Sequence, residues 1–380
     1  MRVLQMIARG IASSMTLVLS KPSAPAARVA DEDPTQLAVE HNDPDRTERR
    51  AVAGHVAGLM LEDEWVEIAD QVAAWEAELA STQGGIRFHE IAVDVALSGL
   101  QSLIDEAPHA DLQDLAEAEV ELGCFIETHE AEPENHVLAL LAARAHLLLG
   151  IAYRADHWPE DCQREAWRRM AKHYVAAGEL LNPFDARALM SPLMAEAKYL
   201  QCLGSPGQSN RVPELFEAWI TLDPSNPAIY AAHAAWLADP NNASDADIIE
   251  LSDAATDRTS ATIGVGGYAL FFQPLVAQRE NARDLYDPEM FATAILDLAT
   301  LSATQAEVNR MADVLAGEIR HVGPDMAPVA LKDTLYMLIR SEMKVLYPNL
   351  WTISDDAIRA FVREATDALP DMDETFGRAA

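Results

Sequence analysis

The chain is short of several things. It has three cysteines, Cys124, Cys162 and Cys202, an odd number without a C-x-x-C pair, so neither a disulfide framework nor a zinc knuckle organises it, and buried free thiols are expected. Aromatic residues make up only 6%, with 17 glycines and 20 prolines in 380 residues. Strands draw on aromatic residues and helices avoid glycine and proline, so this balance suits helices. Basic residues are scarce as well: 28 Lys and Arg stand against 61 Asp and Glu, a net charge of −33, which argues against nucleic acid or anionic lipid as a partner. An acidic surface keeps a chain soluble and also suits basic partners. No run of 18 apolar residues occurs, so no transmembrane span is expected. What is plentiful is apolar residue, at 49%, enough for one large core or two ordinary ones.

The first thirty residues differ from the rest. Arg2, Arg9, Lys21 and Arg28 are the only charges before Asp31, and Leu4, Ile7, Ile11, Met15 and Val18 fall on one helical face. The expectation is an amphipathic helix lying on the body or on a partner, in a cytoplasmic protein. The alternative is export, with Ile11 to Leu19 as a short apolar core and cleavage near Ala26 in Ala24-Pro25-Ala26. Residues 31–50, polar and containing Pro34 and Pro44, read as a linker.

From Arg46 onward the apolar spacing is helical. Trp65, Ile68, Val72, Trp75 and Leu79 make one stripe; Phe291, Ile295 and Leu298, then Val308, Met311, Leu315 and Ile319, make others. Turn-forming clusters punctuate the pattern at Ser81 to Gly85, Glu106 to Leu112, Gly204 to Pro213, Asp239 to Asp247 and Val322 to Pro328. The expected fold is all-α, with no sheet, and the chain divides into residues 1–45 (amphipathic segment and linker), 46–260 (helical repeat region) and 261–380 (a C-terminal helical region packed on it).

A spacing recurs inside the middle region. Phe216, Pro224 and Asn226 repeat an order already present as Phe125, Pro133, Asn135 and as Val175, Pro183, Asp185. The apolar residue packs the end of one helix, proline cannot continue that helix, and Asn or Asp two residues later accepts hydrogen bonds from the free N–H groups of the next. His146-x2-Leu149-Gly150-x2-Tyr153, Ala171-x3-Val175 with Pro183, and Val212-x3-Phe216 with Pro224, followed by Tyr230 and Ala234, extend the pattern. It resembles the tetratricopeptide repeat, in divergent form, over about Leu112 to Asp239. The units are longer than that family's, His157 to Cys162 interrupt one of them, and Trp219 stands where the family has a small residue. The resemblance implies a TPR-like α-solenoid that binds a protein or peptide and performs no chemistry.

Sites are sparse. Arg164, Arg168 and Lys172 recur every fourth residue and form a positive stripe on one helix face. They are the candidate binding residues for a carboxylate, such as a peptide C-terminus gripped on an inner face; pairing with Glu160, Asp161 and Glu165 is the structural alternative. Tyr199, with Trp219 and Trp236, lines either a groove or the core. His129, His136 and His146 with the intervening glutamates suggest, as an alternative, a metal-dependent enzyme on an all-α scaffold, although a Pro turn at Pro133 breaks the helical ligand spacing. Gly264, Gly266 and Gly267 mark either an anion loop or a tight helix crossing, and no complete phosphate-binding motif accompanies them. No catalytic residue, metal ligand or cofactor is expected.

Overall fold

The computed structural model describes residues 37–205, 207–279, 281–301 and 304–367. The readings placed on the first thirty-six residues lie outside these. Over the described residues the chain is helical, with seventeen α-helices and almost no strand, as the composition leads one to expect. The extended pieces are two parallel two-residue strands, β1 (Ala38–Val39) and β2 (Val345–Leu346), and an isolated bridge between Ser81 and Arg87.

The chain forms two compact units. The first contains Thr47–Thr82 and Ile86–Asn242, the second residues 37–46, Gln83–Gly85 and the chain from Ala243 onward. The division therefore falls at 242/243, ahead of the 260/261 read from the sequence, because the helix Asp245–Ile263 packs on its successor Gly266–Val276.

In the first unit the helices are α1 (Arg46–Leu61), α2 (Trp65–Glu78), α3 (Phe88–Ala96), α4 (Ser98–Glu106), α5 (Ala116–Ala131) and α6 (His136–Ala152). They continue as α7 (Gln163–Leu181), the short α8 (Ala186–Leu189), α9 (Pro192–Gly204), α10 (Val212–Leu222) and α11 (Pro227–Leu237). Apart from His136, Arg144 and His146, helix α6 is apolar around its circumference, which marks a helix enclosed by others. Val137 to Ala145 are buried without a break, and α2, α5, α7 and α9 all pack against it. Glycine permits one close approach here: a Cβ on Gly150 would run into the Tyr174 ring of α7.

The recurrent Pro-x-Asn/Asp spacing does what its chemistry dictates. Asn135, Asp185 and Asn226 are all extended N-cap residues whose side chains accept from the free N–H groups of α6, α8 and α11: Val137 and Leu138, Arg187 and Ala188, and Ala228. Each such cap is worth about 1 kcal/mol. Phe125 and Phe216, the apolar members of two copies, are buried. The third copy departs. Val175 is 60% exposed, because α7 turns its neighbour Tyr174 inward instead. Tyr199, Trp219 and Trp236 are core residues: Tyr199 is fully enclosed, tilts on Trp219 at 5.4 Å and shares a 3.0 Å hydrogen bond with His233 Nδ1.

The second unit contains α12 (Asp245–Ile263), α13 (Gly266–Val276), α14 (Pro288–Leu301), α15 (Gln305–Val322), α16 (Val329–Met337) and α17 (Asp355–Asp367). Gly266 and Gly267 open α13 in a tight crossing, where a Cβ would strike Leu298 of α14 or Thr259 of α12. Gly264 takes a left-handed φ of 59°, and Asp297 accepts from the next N–H at 2.8 Å. This accounts for the glycine cluster structurally. Fully buried Asn309 donates to Val345 O and accepts from Tyr347 N and Trp351 Nε1, which fastens the β2 region to α15.

Candidate functional site

Helix α7 is the most amphipathic long helix of the first unit. Its inward side is fixed by Ala166, Met170, His173, Tyr174, Ala177 and Leu181. That leaves Arg164, Arg168, Ala171, Lys172 and Val175 on the opposite side, all exposed. Trp167, between the first two arginines, keeps 47% of its surface in solvent. Two parallel rows result, Arg164-Arg168-Lys172 and Trp167-Ala171-Val175, each repeating every fourth residue and so running along one side of the helix.

The stripe is only partly neutralised by its own chain. Arg168 Nη1 lies 3.1 Å from Glu165, both side chains being about half exposed, a pairing worth little in water. Arg164 and Lys172 make no ion pair among the described residues, and neither Glu160 nor Asp161 is paired with the stripe. The neighbouring Arg169 leaves the stripe sideways, toward α5. It donates to the Tyr153 hydroxyl at 3.0 Å, lies over the Tyr153 ring at 5.3 Å and meets Glu119 of α5 at 3.5 Å. Tyr153 in turn donates to Glu119 at 2.6 Å. These contacts make α5 and α7 border one another.

Beneath this face His146 and His173 share a 2.9 Å Nδ1···Nδ1 hydrogen bond, which requires at least one neutral ring. Burial, aided by Lys172, pushes His146 down to about 4; burial, His146 and the cations Lys172 and Arg169 push His173 down to about 3. The pair is neutral at physiological pH and structural. His129 and His136 lie elsewhere, at the end of α5 and the start of α6, and no group of three or more potential metal ligands converges among the described residues.

A second charged cluster, invisible to sequence reasoning, is buried between α2–α3 and the N-termini of α9 and α11. Glu76 accepts from Ser191 Oγ at 2.7 Å and Leu193 N at 2.9 Å, which caps α9. Glu90 accepts from the cap residue Asn226 at 2.6 Å. Arg87 grips Asp223 with two nitrogens and donates to Ser225 at 2.9 Å. Arg144 faces Glu196 at 2.8 Å, an ion pair by distance without hydrogen-bond alignment, and its charge also reaches Asp94. Burial raises Glu76 to about 7, Asp94 to about 7 and Glu90 to about 8, with Glu196 adding to all three. Glu90 and Asp94 keep some accessible surface although protein surrounds them on nearly every side. Burial thus shifts all three toward the neutral form, and Glu76 and Glu90 join helix ends to one another.

No family model, curated protein or solved structure matches this chain. Among the described residues no helix is long and apolar enough to cross a membrane.

Proposed function

We propose that this chain is a non-catalytic protein-binding module, built in its first unit from TPR-like helix pairs, and that the exposed face of α7 is its contact surface. One observation carries the reading: in a chain of net charge −33, Arg164, Arg168 and Lys172 stand in water around a half-exposed tryptophan. A large exposed aromatic rimmed by arginine is the composition of an interface hot spot. The turn chemistry supports the repeat architecture, since proline ends a helix and Asn135, Asp185 or Asn226 caps the next.

Two points of the sequence reading change. Tyr199 is enclosed and is not a contact residue. The basic stripe lies on the helix before the Pro183 turn, on the side opposite its buried residues, which favours a contact on the outward face of that helix over one in an inner groove. The test is affinity capture with the wild-type chain against Arg168→Glu/Lys172→Glu. Loss of specific partners in the variant supports the reading; recovery of the same partners by both shows the stripe to be structural.

A further inference from the structure

The face of α7 does not stand alone. Helix α5, which borders it through Glu119 and Arg169 at 3.5 Å, also carries an outward face, made of Glu117, Val120, Cys124 and Glu127, all exposed, with half-buried Glu121 beside them. Val120 is 73% exposed, the second largest exposure among the large apolar residues of the first unit. The α5 residues follow at intervals of three, four and three; Arg164, Arg168, Ala171 and Val175 of α7 follow at four, three and four. Both are the spacings with which one helix presents a continuous seam to another. At 1.5 Å per residue each seam is about 15 Å long.

The two seams carry opposite charge. An acidic segment laid along α7 would run beside the α5 carboxylates, and a basic one laid along α5 would run beside the α7 cations. A partner that presents an acidic and a basic row side by side, in reversed order, meets neither repulsion. A two-fold rotation of this surface generates that partner, because a two-fold interface brings the same patch of both subunits together with its halves exchanged. We infer that the α5 and α7 faces form a two-fold interface between two copies of this chain, α5 of each copy lying against α7 of the other.

In this arrangement Trp167 and Val175 of one copy cover Val120 and Cys124 of its partner copy, and Arg164, Arg168 and Lys172 face Glu117, Glu121 and Glu127. Apolar burial supplies the attraction and the charge rows fix the register, since exposed ion pairs contribute little by themselves. The net charge of −33 on each copy opposes approach at long range, so association calls for physiological salt, where the screening length is about 8 Å. This inference rests on the reading of the α7 face as a protein contact and names the partner.

Sedimentation velocity of the full chain at physiological salt tests it, with two charge-inverted variants. Arg164→Glu/Arg168→Glu/Lys172→Glu makes both seams acidic, and Glu117→Lys/Glu121→Lys/Glu127→Lys makes both basic. The expected result is a dimeric wild type, two monomeric variants, and recovery of dimer when the variants are mixed in equal amounts, because each seam then meets its opposite. Circular dichroism checks that each variant is folded. Should either fail to fold, Trp167→Ala, which alters no charge, is expected to weaken the dimer at least tenfold. A monomeric wild type, dimers that persist in both folded variants, or folded variants that do not pair when mixed overturn the inference, as does a Trp167→Ala chain that dimerises like wild type. If the wild type is monomeric but still captures a different protein through Arg168 and Lys172, the interface between copies is wrong and the protein-binding reading stands; if no capture depends on these residues either, both fall.

Discussion

Two groups of charged side chains in the first unit are treated in opposite ways. On α7, Arg164, Arg168 and Lys172 remain in water, two of them without an ion pair among the described residues, around the exposed ring of Trp167. Between α2–α3 and the ends of α9 and α11, the carboxyls of Glu76, Glu90 and Asp94 are taken out of water and shifted toward the neutral form, while Arg87 and Asp223 satisfy one another. The buried group is largely committed: Glu76, Glu90 and Arg87 join helix ends by hydrogen bonds, although Glu76 Oε2 and Arg144 Nη1 make none. The surface group is uncommitted: its cations are well hydrated, while the apolar surface of Trp167 leaves water only when something covers it. Net charge does not distinguish them; the number of internal partners does.

The largest expected effect breaks the buried side of this contrast. Asp223→Ala removes the carboxylate gripped by buried Arg87 and is expected to lower stability by about 3–5 kcal/mol, the cost of leaving a buried charge unpaired, read as a shift of the urea midpoint.

Next comes pH. Glu76, Asp94 and Glu90 have folded values raised to about 7, 7 and 8 against 4.5, 3.8 and 4.5 ordinarily. Their stabilising contribution is therefore whole below about pH 4 and is lost as pH rises toward 8. The histidines act in the opposite sense: His89, His146, His173 and His233 are pushed down by burial, so their contribution is whole above about 6.5 and is lost on acidification. Between pH 7 and 9 the carboxyls dominate, the wild type is expected to lose stability, and Glu90→Gln is expected to lose less. Thermal melts of the two chains across that range check it.

Smaller effects belong to the caps. Asn135→Ala is expected to cost about 1 kcal/mol and Asn226→Ala about 2, since Asn226 also holds Glu90; denaturant titration resolves the two. The smallest effect sharpens the surface side: Arg164→Ala and Lys172→Ala are expected to leave the melting temperature unchanged while weakening partner capture, a separation that a structural stripe would not show.

Much of the fold is legible in the sequence. The helical class followed from composition and apolar period, and the Pro-x-Asn/Asp turns followed from residues whose chemistry is local, as the caps at Asn135 and Asn226 show. The stripe on α7 was legible for the same reason, because i, i+4 and i+8 share a face in any helix. Trp167 and Val175 were missed as its apolar companions: a helical period says which residues share a face, and only packing says which face is turned inward. Tyr199 went astray on that point. The Glu76, Glu90 and Asp94 cluster could not be read at all, because its partners Ser191, Asn226 and Arg144 are brought to it by tertiary packing across 50 to 136 positions.

The central claim, that the α7 face is covered by protein, is tested most directly by residue-resolved hydroxyl-radical labelling of Trp167, comparing the dilute purified chain with the native assemblies from cells. The expected result is strong labelling of Trp167 in the dilute chain and a severalfold loss in the native state, with buried Trp158 and Trp219 protected in both. Equal labelling of Trp167 in the two states would contradict it.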